Sequence, residues 1–128
     1  MEPPALKATV LSFGFKYGIP LDADMVFDVR FLPNPFWVDE LRELDGRDGR
    51  VKDYVMSSRE GLEFLDRVHE LIQFLKDKFF REGRRYITLA MGCTGGQHRS
   101  AVLVEELASR LVSSGWTVNV RHRDMHRR

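Results

Sequence analysis

A run of glycines between a strand-like and a helix-like segment constrains this chain more than any other feature. Arg85-Tyr86-Ile87-Thr88-Leu89-Ala90-Met91 has the character of a buried strand, and Ser100-Ala101-Val102-Leu103-Val104-Glu105-Glu106-Leu107-Ala108 that of a helix. Between them stands Gly92-Cys93-Thr94-Gly95-Gly96-Gln97-His98-Arg99-Ser100. A strand that enters a helix through such a turn aims several main-chain N–H groups at one spot, and the helix dipole makes that spot positive. His98 and Arg99, at the helix start, add hydrogen bonds and charge. The pattern predicts an anion cradle.

The flanking sequence supplies the rest of an α/β domain. Thr9–Phe15 is β-branched and aromatic and predicts a strand, which Lys16-Tyr17-Gly18-Ile19-Pro20 breaks into a loop. Met25–Leu32 predicts a second strand, stopped by Pro33-Asn34-Pro35 because proline lacks the N–H a strand needs. A short helix is expected over Val38–Leu44, with turn signals at Asp45-Gly46 and Asp48-Gly49. Leu62, Leu65, Val68, Leu71, Ile72, Leu75 and Phe79 recur at helical spacing. They predict a core-facing helix that Ser58 caps and Gly83 ends. Ser100–Ser113 is a further helix, ended by Gly115, and Thr117–Arg121 a last strand. Strands alternating with helices imply one three-layer α/β domain, a mostly parallel sheet of about four strands with helices on both faces. Residues 1–7 are expected to be flexible. Ligands of such sheets gather beyond the carboxyl ends of the strands. Here those ends are Gly14–Tyr17, Arg30–Asn34, Gly92–Arg99 and Arg121–Arg123, and all four carry polar or basic groups, which predicts a single anion-binding rim.

Composition narrows the function classes. The 128 residues are 43% hydrophobic and 30% charged with a net charge of +1, the make-up of a globular domain large enough for a real core. A single cysteine rules out an internal disulfide and fits a reducing, cytoplasmic setting. No apolar run nears the ~20 residues of a membrane span, and Met1-Glu2-Pro3-Pro4-Ala5 does not read as a signal peptide. The last eight residues hold four arginines and two histidines against one aspartate. Such an end is either a contact for nucleic-acid phosphates or a solvated basic tail. The histidines and cysteine show no metal-ligand spacing, so neither a metal nor another cofactor is expected. His69 is expected to be exposed. The nucleotide-binding loop that ends in Gly-Lys-Ser/Thr is absent.

Two chemistries fit the glycine loop. Spelled Cys93-x-x-Gly96-x-x-Arg99-Ser100, it matches the phosphate loop of cysteine-dependent phosphatases, in which a thiolate attacks phosphorus and an arginine clamps the phosphate oxygens. That reading needs a general acid, for which Asp39, Asp45 and Asp48 stand as candidates. The other reading is a cradle that holds a phosphorylated ligand without reacting. The blander alternatives are a buried, inert Cys93, a helix-capping His98, and an Arg99 paired with Glu105 or Glu106.

Three blocks together resemble a known family. They are Ser12-Phe13-Gly14-Phe15-Lys16-Tyr17-Gly18-Ile19-Pro20, the stretch from Asp22-Ala23-Asp24 through Phe27-Asp28-Val29-Arg30-Phe31-Leu32-Pro33-Asn34-Pro35, and the glycine loop. With Arg121-His122-Arg123-Asp124 they resemble the C-terminal domain of the RapZ (RNase adapter, YvcJ-like) family, from about Ala8 to Arg128. The resemblance implies a fold similar to a phosphofructokinase subdomain. It also implies an N-terminal kinase-like domain in full-length members, which tend to form homo-oligomers. In enterobacterial members this domain is implicated in sensing glucosamine 6-phosphate and in binding small regulatory RNA, which is presented to an endoribonuclease to adjust amino-sugar synthesis.

Carried over by position, the resemblance implies a ligand pocket of Thr94, Gly95, Gly96 and Arg99 with Cys93 and His98 beside them. The wider candidate site adds Gln97, Ser100, Asp28, Arg30 and Asn34. The implied RNA surface takes in Lys16, Tyr17, Arg121, His122, Arg123, Arg127 and Arg128. Two positions depart from the family pattern. Phe36 stands where many members have histidine, and Gln97 where some have lysine. The expected function is a non-enzymatic sensor or adapter. A cysteine phosphatase and a protein-interaction scaffold are the alternatives.

Overall fold

The structure, a computed structural model, describes residues 6–127. Four strands form one sheet: β1 (Lys7–Gly14), β2 (Met25–Asp28), β3 (Tyr86–Cys93) and β4 (Thr117–His122). Their order is β2-β3-β1-β4, and every neighbouring pair is parallel. All four carboxyl ends therefore lie along one edge. β1 starts two residues before the predicted strand, and Leu6, within the segment expected to be flexible, is buried.

Alternation along the strands separates two unequal cores. Ala8 and Val10 of β1 and Ile87, Leu89, Met91 and Cys93 of β3 join the main cluster with the helices. The residues between them, Leu11, Phe13 and Ala90, form a small cluster covered by Phe15 and Ala23. The domain is thus an α/β sandwich of three layers, one of them thin. On the thin side, the predicted helical cover is a single 3-10 turn, Phe15–Tyr17, because only ten residues join β1 to β2.

On the thick side lie α1 (Asp39–Arg42), α2 (Gly49–Val55), α3 (Arg59–Arg81) and α4 (Arg99–Ser113). α4 packs on β1, β3 and β4 and is buried along most of its length. α3 packs on α4 through Leu65, Val68 and Ile72, but Leu62 and Leu71, placed in the core by their spacing, are 51% and 42% exposed. They flank the stripe centred on Gly61, Leu65, Val68 and Ile72, and the neighbouring elements are too few to cover the flanks. Ser58 occupies the N-cap position of α3, yet its hydroxyl makes no cap bond. α2 has no counterpart among the predicted elements. The Asp48 carboxylate caps it by accepting from the Arg50 N–H at 2.9 Å, and Val51 and Val55 enter the core.

β2 ends at Asp28 and not at Leu32. The Asp28 carboxylate accepts from both the main-chain N–H and the guanidinium of Arg30, which turns the chain out of the sheet. A further polar chain ties the sheet to α4: Ser12 Oγ lies 2.6 Å from His122 Nδ1, and His122 Nε2 2.8 Å from Glu105.

Candidate functional site

β1 and β3 are neighbours, but their connections leave toward opposite faces. The chain after β1 covers the small cluster through Phe15, whereas the chain after β3 enters α4 in the main core. Such a divergence opens a crevice at the carboxyl edge of a parallel sheet. A cleft of about 310 Å³ occupies it, lined by Lys16 after β1, by Asn34, Phe36 and Trp37 after β2, and by Cys93, Thr94, Gly95, Gln97, His98 and Arg99 after β3.

Two glycines outside the lining let the loops after β1 and β3 meet. Gly96 has φ +79°, and a Cβ there would stand 2.6 Å from the Gly14 nitrogen. A Cβ on Gly14 would stand 2.5 Å from the Gly95 carbonyl carbon. The two loops touch backbone to backbone, an approach that only glycine permits. None of the main-chain N–H groups of Gly95, Gly96 and Gln97 donates to an acceptor among the described residues.

Arg99 is only 5% exposed, and its guanidinium is partly spoken for. Nη1 donates to the carbonyls of Arg30 at 2.5 Å and Leu32 at 3.4 Å, and Nη2 lies 3.4 Å from Thr94 Oγ1. Nε is buried and has no hydrogen-bond partner among the described residues. Burial pulls the Arg99 pKa below the usual arginine range, and the nearby Arg30 adds to that pull. A desolvated cation beside undonated N–H groups favours an anion, which would satisfy all of them at once. Neither Glu105 nor Glu106 takes Arg99, since they pair with His122 and Lys52.

The cleft gathers seven of the candidate ligand residues: Cys93, Thr94, Gly95, Gln97, His98, Arg99 and Asn34. Gly96 lies beneath them, and Ser100 stands behind Cys93, its hydroxyl 3.1 Å from Sγ. Asp28 and Arg30 pair with each other at 2.6 Å outside the lining, and Arg30 stacks over Phe15 at 4.0 Å. The side-chain hydrogen bond from Arg30 holds the Asp28 carboxyl below its usual pKa. His98 holds the N-cap position of α4, but its ring makes no cap bond and instead sits 3.1 Å from the Arg42 carbonyl. His69, expected to be exposed, is half-buried with Nε2 2.9 Å from Ser114 Oγ.

Three wall residues were absent from the ligand set read from the sequence. The sequence places Lys16 on the RNA face, marks Phe36 only as a departure from the family pattern, and gives Trp37 no role. The adjacent aromatics after Asn34-Pro35 were the available signal, because a strand-end loop seldom hides two large rings.

The basic end is folded against the domain. Asp124 is fully buried, accepts from the Gly14 N–H at 2.8 Å, and pairs with Arg123 at 2.8 Å and Arg127 at 3.2 Å. Arg123 also donates to the Gly18 carbonyl. Arg127 and Lys16 both approach the Tyr17 ring, at 5.0 and 5.2 Å. Gln97 donates to the Arg127 carbonyl, which ties this end to the glycine loop. Arg121 pairs in register with Leu11, on the face away from α4, while His122 is held by Ser12 and Glu105. The basic residues therefore do not form one continuous rim. Arg128 lies outside the described residues.

The RapZ C-terminal domain model matches residues 6–126. The chain belongs to the RapZ C-terminal domain family. Its relatives include nucleotide-binding proteins of Acidothermus cellulolyticus, 55% identical over 97% of this chain and 42% of that protein, and of Streptomyces coelicolor, 54% identical over 98% and 42%. A nucleotide-binding protein of Mycolicibacterium vanbaalenii is 56% identical over 93% of this chain and 37% of its own length. The chain thus spans about two fifths of these curated relatives. In this RapZ C-terminal domain no described helix is long and apolar enough to cross a membrane.

The phosphatase spelling finds one geometric match, the Cys93–Ser100 contact. The three carboxylates considered as general acids all stand outside the cleft lining. Asp39 pairs with Arg42, Asp45 with Arg47 and Asp48 with Arg50.

Proposed function

We propose that this domain is a non-enzymatic sensor that holds a phosphorylated small molecule in the cleft between the glycine loop and the Asn34–Trp37 turn. The observation that carries the reading is the buried Arg99 Nε, orphaned beside three undonated loop N–H groups. A phosphorylated amino sugar is the ligand class the family resemblance implies. Its relatives' name, nucleotide-binding protein, brings nucleotides in as a second class. Binding would be read out by a partner of the adapter type, a small regulatory RNA handed to an endoribonuclease in the cytoplasm.

A thermal-shift screen of sugar phosphates and nucleotides tests the reading, since a ligand bound only by the folded state raises its stability. Arg99→Ala should lower the affinity of any hit by at least about tenfold, because a charge-assisted hydrogen bond contributes roughly 1.5–3 kcal/mol. Undiminished affinity in a folded Arg99→Ala protein would sink the assignment.

The Cys93–Ser100 contact favours a second reading, in which the Cys93 thiolate attacks a bound phosphate ester. It requires turnover of an aryl phosphate that disappears in Cys93→Ser. Absence of turnover between pH 5 and 8, about the range where activated thiolates work, removes it.

A further inference from the structure

Opposite the glycine loop, the cleft ends in two aromatic rings that the phosphate cradle does not use. Phe36 and Trp37 are 47% and 75% exposed, with ring centroids 5.1 Å apart and planes nearly perpendicular at 86°. Both are held in place. Pro35 is buried, and Asn34 Oδ1 accepts from the Phe36 N–H at 3.1 Å, which fixes the 3-10 turn Pro35–Trp37. Arg42 lies 5.2 Å from the centre of the Phe36 ring and donates to the Phe36 carbonyl at 2.7 Å.

The same residue joins the rings to the cradle, because the Arg42 carbonyl sits 3.1 Å from His98 Nε2. The Gly46 N–H donates to the Gln97 carbonyl at 2.8 Å and adds a second tie. The distance between the aromatic end and the anion end is thereby set by the fold and not by loop motion. Tryptophan left bare in a cleft keeps apolar surface in water that a flat ring laid against it would remove, and stacking adds to that gain. Sugar hydroxyls are read by convergent polar side chains. Of the polar side chains lining the cleft, Asn34 is the one next to the rings in the chain, and its Oδ1 is already occupied by the turn.

From this geometry we infer that the cleft takes a two-part ligand, a phosphate monoester seated on the glycine loop and Arg99 whose other end is a flat heteroaromatic ring stacked on Trp37, with the Phe36 ring at its edge. That is the chemistry of a nucleoside monophosphate. The inference rests on the anion-binding reading of the cradle and adds what the phosphate carries. The volume of about 310 Å³ stands at the lower end of small-molecule sites, roughly 300–1,000 Å³, and suits one such molecule.

Calorimetric titration of the chain with inorganic phosphate, ribose 5-phosphate and adenosine 5′-monophosphate separates the two ends. Adenosine 5′-monophosphate should bind at least tenfold more tightly than ribose 5-phosphate, and Trp37→Ala should cut that preference below threefold. It should also quench tryptophan fluorescence in the original protein and not in Trp37→Ala, because the other tryptophan, Trp116, is buried at 4% exposure. Equal affinity for the nucleotide and ribose 5-phosphate, or a preference that survives Trp37→Ala, overturns this inference and leaves the cradle standing. Binding of none of the three, or binding undiminished in Arg99→Ala, overturns the cradle and this inference with it.

Discussion

At the scale of single residues, the site depends on what is missing from Gly14 and Gly96 as much as on what Arg99 contributes. The main chain after β3 crosses the end of β1 with no room for a methyl group, and Gly96 is also left-handed at φ +79°. Alanine there meets a left-handed backbone cost of about 1–2 kcal/mol together with an overpacking cost of about 1–3 kcal/mol. Gly96→Ala should therefore lower unfolding free energy by about 2–5 kcal/mol in urea titration and weaken anion binding in the fraction that folds. Gly49→Ala is the matched control. Its added Cβ would meet nothing within 4 Å at the start of α2, and the change should stay within about 0.5 kcal/mol. Equal losses in the two variants would show that glycine content, and not the crossing of the loops, sets the cost. Arg99 works by a different route. Nη1 braces the Arg30–Leu32 turn and Nη2 reaches Thr94, while Nε has no acceptor among the described residues, so one side chain both builds the wall and marks the candidate site.

At the scale of elements, Asp124 holds the segment after β4 against the end of β1. Burial alone would raise its pKa, but hydrogen bonds from Arg123 and the Gly14 N–H, with the charges of Arg123 and Arg127, outweigh burial and leave it lowered. A carboxylate with a lowered folded-state pKa contributes stability above its unfolded value, about 3.9, and that contribution is lost as pH falls through the folded value. Asp124→Asn should cost about 1.5–3 kcal/mol near pH 7, the range for hydrogen bonds to charged groups. The gap between the two proteins should close as denaturation is repeated below pH 4, and a gap that is constant with pH would deny Asp124 this role. This anchoring was not legible in the sequence, where Asp124 was one acid among arginines and the segment looked like a free tail. By contrast, β1, β3, α4 and the long helix were legible, because each buries a face or stripe whose period survives in the residue order. α2 was not, because seven residues carry too little period and its start, Asp48-Gly49, is spelled like a turn. The same limit governs the site. The cradle is local and visible as one run of letters, while Lys16, Phe36 and Trp37 arrive from other loops through a sheet order that no local pattern states.

At the scale of the whole molecule, the question is which cations an RNA could meet together. Lys16 lines the cleft and shares the Tyr17 ring with Arg127, whereas Arg121 stands within β4 opposite Leu11 and outside the cleft lining. Arg123 spends its charge on buried Asp124 and on the Gly18 carbonyl. A single strand laid across the cleft mouth would thus reach Lys16 and Arg127 without touching Arg121. Each phosphate contact to a single strand contributes about 0.7 to the slope of log affinity against log salt, through release of condensed cations. Replacing Lys16 and Arg127 together by alanine should therefore flatten that slope by about 1.4, while Arg121→Ala should leave it as it was. Filter binding of a labelled single-stranded RNA at several salt concentrations measures both. If Arg121→Ala flattened the slope as much as the double variant, RNA would have to meet the sheet at β4, and the cleft would serve a small ligand alone. If no variant changed it, the positive charge of this domain would have no part in holding RNA.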